Sequence, residues 1–201
     1  MPPAVEKVFI SAEEERRDCW ELAARIVERD APFDVVAGLT RGGLPIAIYL
    51  QEFFMLAYRR PVGFACVRCR SYDGVARAGN VRVGALDEVW TELGDAGTRV
   101  LIVDDVFDRG STAQAVINKI RADAPRPLTV KTAMLHYKPE NSQVSIVPDY
   151  YLRVYRGNQW LVYPAAVSDL ADDADALRRF GMPEQLIKGR GKREKGKEVK
   201  N

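Results

Sequence analysis

Two periods of hydrophobic and polar residues alternate along this chain. Between Ser11 and Arg29 the apolar residues Trp20, Ala23, Ala24 and Val27 recur at helical spacing, which predicts a helix with one buried stripe. Ser11 stands three positions before Glu14, the spacing of a capping box. After Pro32 the short apolar run Asp34-Val35-Val36-Ala37-Gly38 is bounded by turn residues and predicts a buried strand. Arg41-Gly42-Gly43 breaks it, and helical character resumes from Leu44 to Ala57. Val62 to Arg70 is β-like. Residues 71–84, SYDGVARAGNVRVG, read either as a mobile loop or as a loop with a short strand. Residues 87–93 make one or two helical turns. Arg99 to Val103 is the strongest strand; it ends on Asp104-Asp105, and Ala115, Val116, Ile117 and Ile120 mark a helix opening near Ser111. Leu128–Leu135, Tyr150–Tyr155 and Trp160–Tyr163 are further β-like runs, and residues 172–187 are helical with a break near Gly181-Met182-Pro183.

Strands and helices therefore alternate, with connections too short to separate domains. The expected fold class is α/β, with a mainly parallel central sheet flanked by helices, in a single domain over residues 1–187. A chain of 201 residues buries enough surface to fold without disulfides, and its three cysteines form no disulfide framework. The odd cysteine count, the absence of an apolar run of about 20 residues and an N-terminus unlike a signal peptide lead us to expect a reducing, cytoplasmic setting with no membrane partner.

Charge alters the picture once it is divided. The net +2 conceals a basic tail: residues 188–201 hold seven Lys/Arg and two Asp/Glu, leaving 23 basic and 26 acidic residues in 1–187. The body is thus −3 and the tail +5. Having almost no apolar residues, the tail is expected to be disordered. The overall basic balance is then no argument for nucleic-acid binding by the domain, and nucleic acid is not an expected partner.

The chemistry is densest in Val100-Leu101-Ile102-Val103-Asp104-Asp105-Val106-Phe107-Asp108-Arg109-Gly110-Ser111-Thr112. Four apolar residues feed two acids, a third acid, then a glycine and two hydroxyls at a helix start. In an open α/β sheet, ligands bind beyond the carboxyl ends of the strands. Backbone N–H groups at a helix N-terminus bind phosphate, and Gly110 permits close approach. Asp104 and Asp105 suit sugar hydroxyls or a hydrated Mg²⁺. Other clusters carry less. Cys66-x-x-Cys69 has no second Cys/His pair, so alternation along a strand accounts for it better than zinc. His136, the only histidine, sits at a strand end and is expected to be structural.

This string resembles the signature of type I phosphoribosyltransferases, which bind 5-phosphoribosyl 1-diphosphate (PRPP). The resemblance implies that family's fold with a small hood, Mg²⁺ as cofactor, ribose and metal contacts from Asp104 and Asp105, and a 5-phosphate loop of Asp108, Arg109, Gly110, Ser111 and Thr112. Arg109 stands where the family usually has Thr; it either adds a charged contact to phosphate or projects into solvent. Thr40-Arg41-Gly42-Gly43 resembles the diphosphate loop of the purine-salvage branch, with Arg41 as its cation. Ser71-Tyr72 resembles the start of that branch's mobile lid. Lys138 resembles the lysine that donates to a purine 6-oxo group, and Trp160, with Leu161 beside it, the residue that stacks on the base. The acid that usually follows shortly after is missing from Val162-Tyr163-Pro164-Ala165-Ala166. The likeness spans about residues 16–166 and is strongest to the short bacterial and archaeal xanthine–guanine type.

The resemblance implies transfer of the phosphoribosyl group from PRPP to guanine, xanthine or hypoxanthine, by a homo-oligomer (dimer or tetramer). Arg41 would then stabilise the leaving diphosphate. Asp108 would act as general base near the purine N7 or stabilise charge developing there. Two other readings stand beside it: a phosphoribosyltransferase for another base, and a regulator of the same fold that senses PRPP or a nucleotide.

Overall fold

In the computed structural model the described residues are 6–71, 81–157, 159–170 and 173–188. The strands are β1 (Lys7–Phe9), β2 (Val35–Leu39), β3 (Gly63–Val67), β4 (Cys69–Ser71), β5 (Val81–Val83), β6 (Arg99–Phe107), β7 (Thr129–Tyr137), β8 (Tyr150–Val154) and β9 (Trp160–Val162). The helices are α1 (Ala12–Arg29), α2 (Gly43–Tyr58), α3 (Asp87–Leu93), α4 (Ser111–Asp123), α5 (Ala174–Arg179) and α6 (Glu184–Lys188). No helix among the described residues is long and apolar enough to cross a membrane.

The central sheet runs β3-β2-β6-β7-β8, every neighbouring pair parallel. Its inner strands carry apolar side chains on both faces, as a sheet covered on both sides requires. Val36, Leu101, Val103, Ala133 and Leu135 point to one layer, where α1 supplies Leu22, Ala23 and Ile26 and α2 supplies Ile46, Leu50 and Phe54. Val35, Ala37, Leu39, Val100 and Ile102 point to the other, against Val89 and Leu93 of α3 and Val116, Ile117 and Ile120 of α4. Two small sheets stand apart from this core. β4 pairs with β5 antiparallel, bracketing residues 72–80. β1 pairs with β9 parallel, forming the expected hood, which packs on α5 and α6 through Val162, Leu177 and Ile187.

Three expectations need correction. The buried stripe of α1 is Cys19, Leu22, Ala23 and Ile26, with Glu15 and Asp18 on the same face; Trp20 is 43% exposed under the Arg16 guanidinium. The face packs on the apolar core through these four residues, while Asp18 on the same face pairs with Arg153 of β8, so acids occupy stripe positions and shift the apparent register. β6 does not end at its acids: it runs to Phe107, because Val106 and Phe107 still pair with His136 and Tyr137 of β7. The β-like run 62–70 divides into β3 and β4, separated at Arg68. The other elements lie close to their expected places, with residues 81–83 giving the short strand of the two readings of 71–84.

Candidate active site

Three loops meet where β2, β6 and β7 end, at the carboxyl edge of the sheet. The first, Thr40 to Gly42, joins β2 to α2 and contains a cis peptide between Thr40 and Arg41. The Thr40 hydroxyl accepts a hydrogen bond from the Cys69 N–H at 3.0 Å, tying this loop to β4. Arg41 Nη1 reaches Ser168 Oγ, 3.4 Å away in the 3-10 turn Pro164–Leu170 beyond the hood strand. Gly42 and Gly43 press against the acids of β6. A Cβ at 42 would stand 2.1 Å from Asp105 Oδ2, and one at 43 would stand 2.3 Å from the Val103 carbonyl. Only glycine lets the loop lie this close.

The second loop leaves β6 at Phe107. Asp104 and Asp105 lie on successive, opposite-facing positions of that strand, and each oxygen Oδ1 accepts the following backbone N–H, at 3.1 and 2.8 Å. Desolvation, and next the charge of Asp105, hold the Asp104 carboxyl well above the ordinary carboxylate range, against backbone N–H bonds from Asp105 and Gly43. Gly110 takes the left-handed conformation (φ 78°) just before α4, and a Cβ there would meet the Phe107 ring and Val144 at 2.5 Å. The first turn of α4, opened by Ser111 and Thr112, presents backbone N–H groups that the helix itself leaves unbonded. Arg109 is exposed, its carbonyl accepting from Gln143 N–H at 3.0 Å.

The third loop begins at Lys138. This residue is 6% exposed, and its ammonium donates to the Gln159 carbonyl at 2.5 Å and lies 3.5 Å from Asp108 Oδ2. Asp108 is held from its other side by Asn141, whose amide donates to Oδ1 at 2.7 Å. A donor-only cation and an acceptor-only carboxylate thus share one spot next to the hood, each with a second partner. Trp160, whose indole is half exposed, follows Gln159 on β9. The Leu161 side chain is buried with Ile10 and Tyr163, which leaves its backbone for the expected contact with a base. Ser71 closes β4; Tyr72 and the remainder of the expected lid to residue 80 lie outside the described residues, as does the tail from Gly189.

An acid of β6 suits a divalent cation as one ligand among several: Mg²⁺ prefers oxygen donors, usually takes one or two carboxylates, and completes its shell with substrate oxygens and water. Among the described residues no group of three or more His, Cys, Asp or Glu is arranged to hold a metal alone. The donor set therefore fits an ion brought largely by a phosphate-bearing ligand. Cys66 and Cys69 are free thiols. Burial, then the charge of Asp104, push the Cys69 thiol up to about 12, which leaves it without thiolate character at neutral pH.

The sequence pattern singled out the loop residues and Lys138 but missed what stands behind them. Asn141, Gln159, Ser168 and Tyr163 lie far apart in the chain; Asn141 alone carried a signal, as a polar turn residue three after Lys138. Glu15, buried on α1, has its carboxyl raised to about 7 by desolvation and then by Asp105.

The comparisons with known proteins point to one family. The family model of the phosphoribosyl transferase domain matches residues 11–163. A xanthine-guanine phosphoribosyltransferase from Gluconobacter oxydans is 28% identical over 167 residues, which are 81% of this chain and 86% of that protein. The bifunctional protein PyrR of Trichormus variabilis is 30% identical over 145 residues, 71% of this chain and 78% of that one. Among solved structures, a purine phosphoribosyltransferase from Pyrococcus horikoshii shares the fold with a TM-score of 0.58 and 28% identity, over 80% of this chain and 93% of that one.

Proposed function

The chain belongs to the phosphoribosyl transferase domain family, and from that premise we propose that it transfers the 5-phosphoribosyl group of PRPP to a 6-oxopurine, releasing diphosphate. The observation that carries the choice of base is Lys138, buried beside Asp108 with its ammonium pinned by the Gln159 carbonyl. An ammonium only donates, so it favours an oxo group over the amino group of adenine at the same position.

In this reading the α4 N-terminus with Gly110, Ser111 and Thr112 binds the 5-phosphate, and Asp104 and Asp105 take the ribose hydroxyls and the metal. Bound there with PRPP, Mg²⁺ would neutralise charge on the diphosphate oxygens. Arg41 and the backbone of residues 40–43 orient that diphosphate and stabilise the charge it gains as the bond at C1 breaks. Asp108 lies on the N7 side of the purine and takes the proton lost there as the attacking nitrogen bonds to C1. Trp160 flanks the base. The exposed Arg109 leaves the 5-phosphate to backbone groups and hydroxyls. Outward-facing Ile48 and Leu56 on α2, 50% and 78% exposed, support a homo-oligomer.

A PRPP-dependent assay with guanine, xanthine, hypoxanthine, adenine and uracil, following nucleotide and diphosphate, tests the reading. Product with the 6-oxopurines and none with adenine is expected; product with uracil alone would overturn the choice of base. Asp108→Asn is expected to lower kcat about 10²-fold, as loss of a general base does, with the Kd for PRPP within about threefold; an unchanged kcat refutes the proton-accepting role. The second reading, a regulator of the same fold, draws on the 30% identity to the bifunctional protein PyrR. PRPP binding with no product from any base would favour it.

A further inference from the structure

Behind the β6 acids lies a buried polar chain that the proposed reaction does not use. β2 pairs with β6 only as far as Gly38 and Val103. Two residues on, the Asp105 carbonyl accepts a hydrogen bond from the hydroxyl of Tyr163, 3.1 Å away. Tyr163 comes from the end of the hood strand β9, and both its ring and its neighbours Ile10 and Leu161 are buried. Its oxygen lies 2.6 Å from Nδ1 of His136, which is fully buried on β7 and faces Tyr155 edge-on.

With the Tyr163–Asp105 bond made, proton counting gives the direction of this chain. A carbonyl only accepts, so the single hydroxyl proton of Tyr163 goes to Asp105. The Tyr163 oxygen must then be the acceptor at 2.6 Å, and His136 carries its proton on Nδ1. The other ring nitrogen, Nε2, is buried and has no hydrogen-bond partner among the described residues, which suits a lone pair better than an N–H. Burial lowers the imidazole pKa to about 4, with Asp18 and Arg153 nearby acting in opposite directions, so the ring stays neutral at pH 7.

We propose that His136 and Tyr163 are positioning residues: the chain from Nδ1–H to the Tyr163 hydroxyl to the Asp105 carbonyl fixes the backbone of the ribose-side acid and ties the hood to the central sheet. The proposal rests on the phosphoribosyl-transfer reading for what Asp105 does, but not for how it is held. Val106 N–H, bonded to Asp105 Oδ1, carries the backbone restraint on to the carboxylate. Tyr163 follows the base-flanking strand immediately, so the same bond sets the hood over the acids.

His136 is the only histidine in the chain, so selective ¹⁵N-histidine labelling of the full-length protein gives one imidazole spin system. A neutral ring protonated on Nδ1 at pH 7 is expected, with the Nδ1 resonance moving in Tyr163→Phe. A ring protonated on Nε2 overturns the proposal, and this readout needs neither substrate nor metal. In kinetics, Tyr163→Phe is expected to raise the KM for PRPP about tenfold while kcat and the KM for the base change less than threefold. His136→Asn, whose amide can donate from about the position of Nδ1, should retain most of the wild-type value, and His136→Leu should match Tyr163→Phe. Equal behaviour of the Asn and Leu variants, or an unchanged KM for PRPP in Tyr163→Phe, refutes the positioning role. Should a variant fail to fold, the wild-type tautomer still decides the direction of the chain. A wild-type protein that does not bind PRPP with Mg²⁺ instead overturns the reading of function, leaving the tautomer as the test of the chain.

Discussion

Single residues do the most at Gly110. Its φ of 78° is strained for any side chain, and a Cβ would meet the Phe107 ring and Val144 at 2.5 Å. Gly110→Ala is therefore expected to cost ~2 kcal/mol in urea denaturation and to weaken PRPP binding more than tenfold by moving the first turn of α4. Two buried titratable groups act with opposite sign. Burial lowers His136 from 6.5 to about 4, so the unfolded chain binds more protons and stability falls as pH drops below 6.5. Glu15 is raised from 4.5 to about 7, so the folded chain binds more protons and stability falls as pH rises above 4.5. Between about pH 4.5 and 6.5 the two slopes oppose each other. Relative to wild type, Glu15→Gln is expected to show stability that rises with pH across this window, and His136→Asn stability that falls, each by at most ~3 kcal/mol. Urea titrations of the metal-free protein at several pH values measure both, and parallel curves for all three proteins would contradict the assignment.

At the scale of elements, legibility followed burial on both faces. β2 and the apolar half of β6 are continuous hydrophobic runs, and they form the centre of the sheet. The loop residues 40–43 and 108–112 were readable because glycines, acids and hydroxyls cluster there within a few positions. Packing that joins distant residues left no such trace: the Asn141–Asp108 bond spans 33 positions and the Tyr163–Asp105 bond 58. The misread stripe of α1 has the same origin, because Asp18, 1% exposed, is held by Arg153 of β8, which donates to both its oxygens at 2.8 and 2.7 Å. Arg153→Met leaves that carboxylate buried, which predicts a loss of ~2 kcal/mol, smaller than for a fully enclosed pair because the Arg153 side chain is 42% exposed. Adding Asp18→Leu should restore most of the loss, and a double variant as unstable as the single one would exclude the pair as the cause.

The whole molecule divides by charge and by core at different places along its end. The positive balance lies wholly in residues 188–201, while the acids of the proposed site belong to a body of net −3. The apolar packing of the hood continues to Ile187, which is 6% exposed against Val162 and Leu177. The two boundaries separate the functions that could be assigned to this end. A chain ending at Lys188 keeps Ile187 and loses a net charge of +4, since 189–201 holds six Lys/Arg and two Asp/Glu. It is expected to keep its melting temperature within about 2 °C and its kcat within twofold, while eluting from a heparin column at lower salt, because fewer Lys/Arg charges remain to meet the sulfates and such contacts are screened by salt. A chain ending at Met182 removes Ile187 from the hood cluster; burial of such a side chain contributes ~2 kcal/mol, so a drop of several degrees is expected. Trp160 stands one residue from Leu161 and two from Val162 in the same strand, so the loss should reach the base before the diphosphate, raising the KM for the purine more than the KM for PRPP. Equal loss of turnover in both truncations would mean that the basic tail itself serves the reaction.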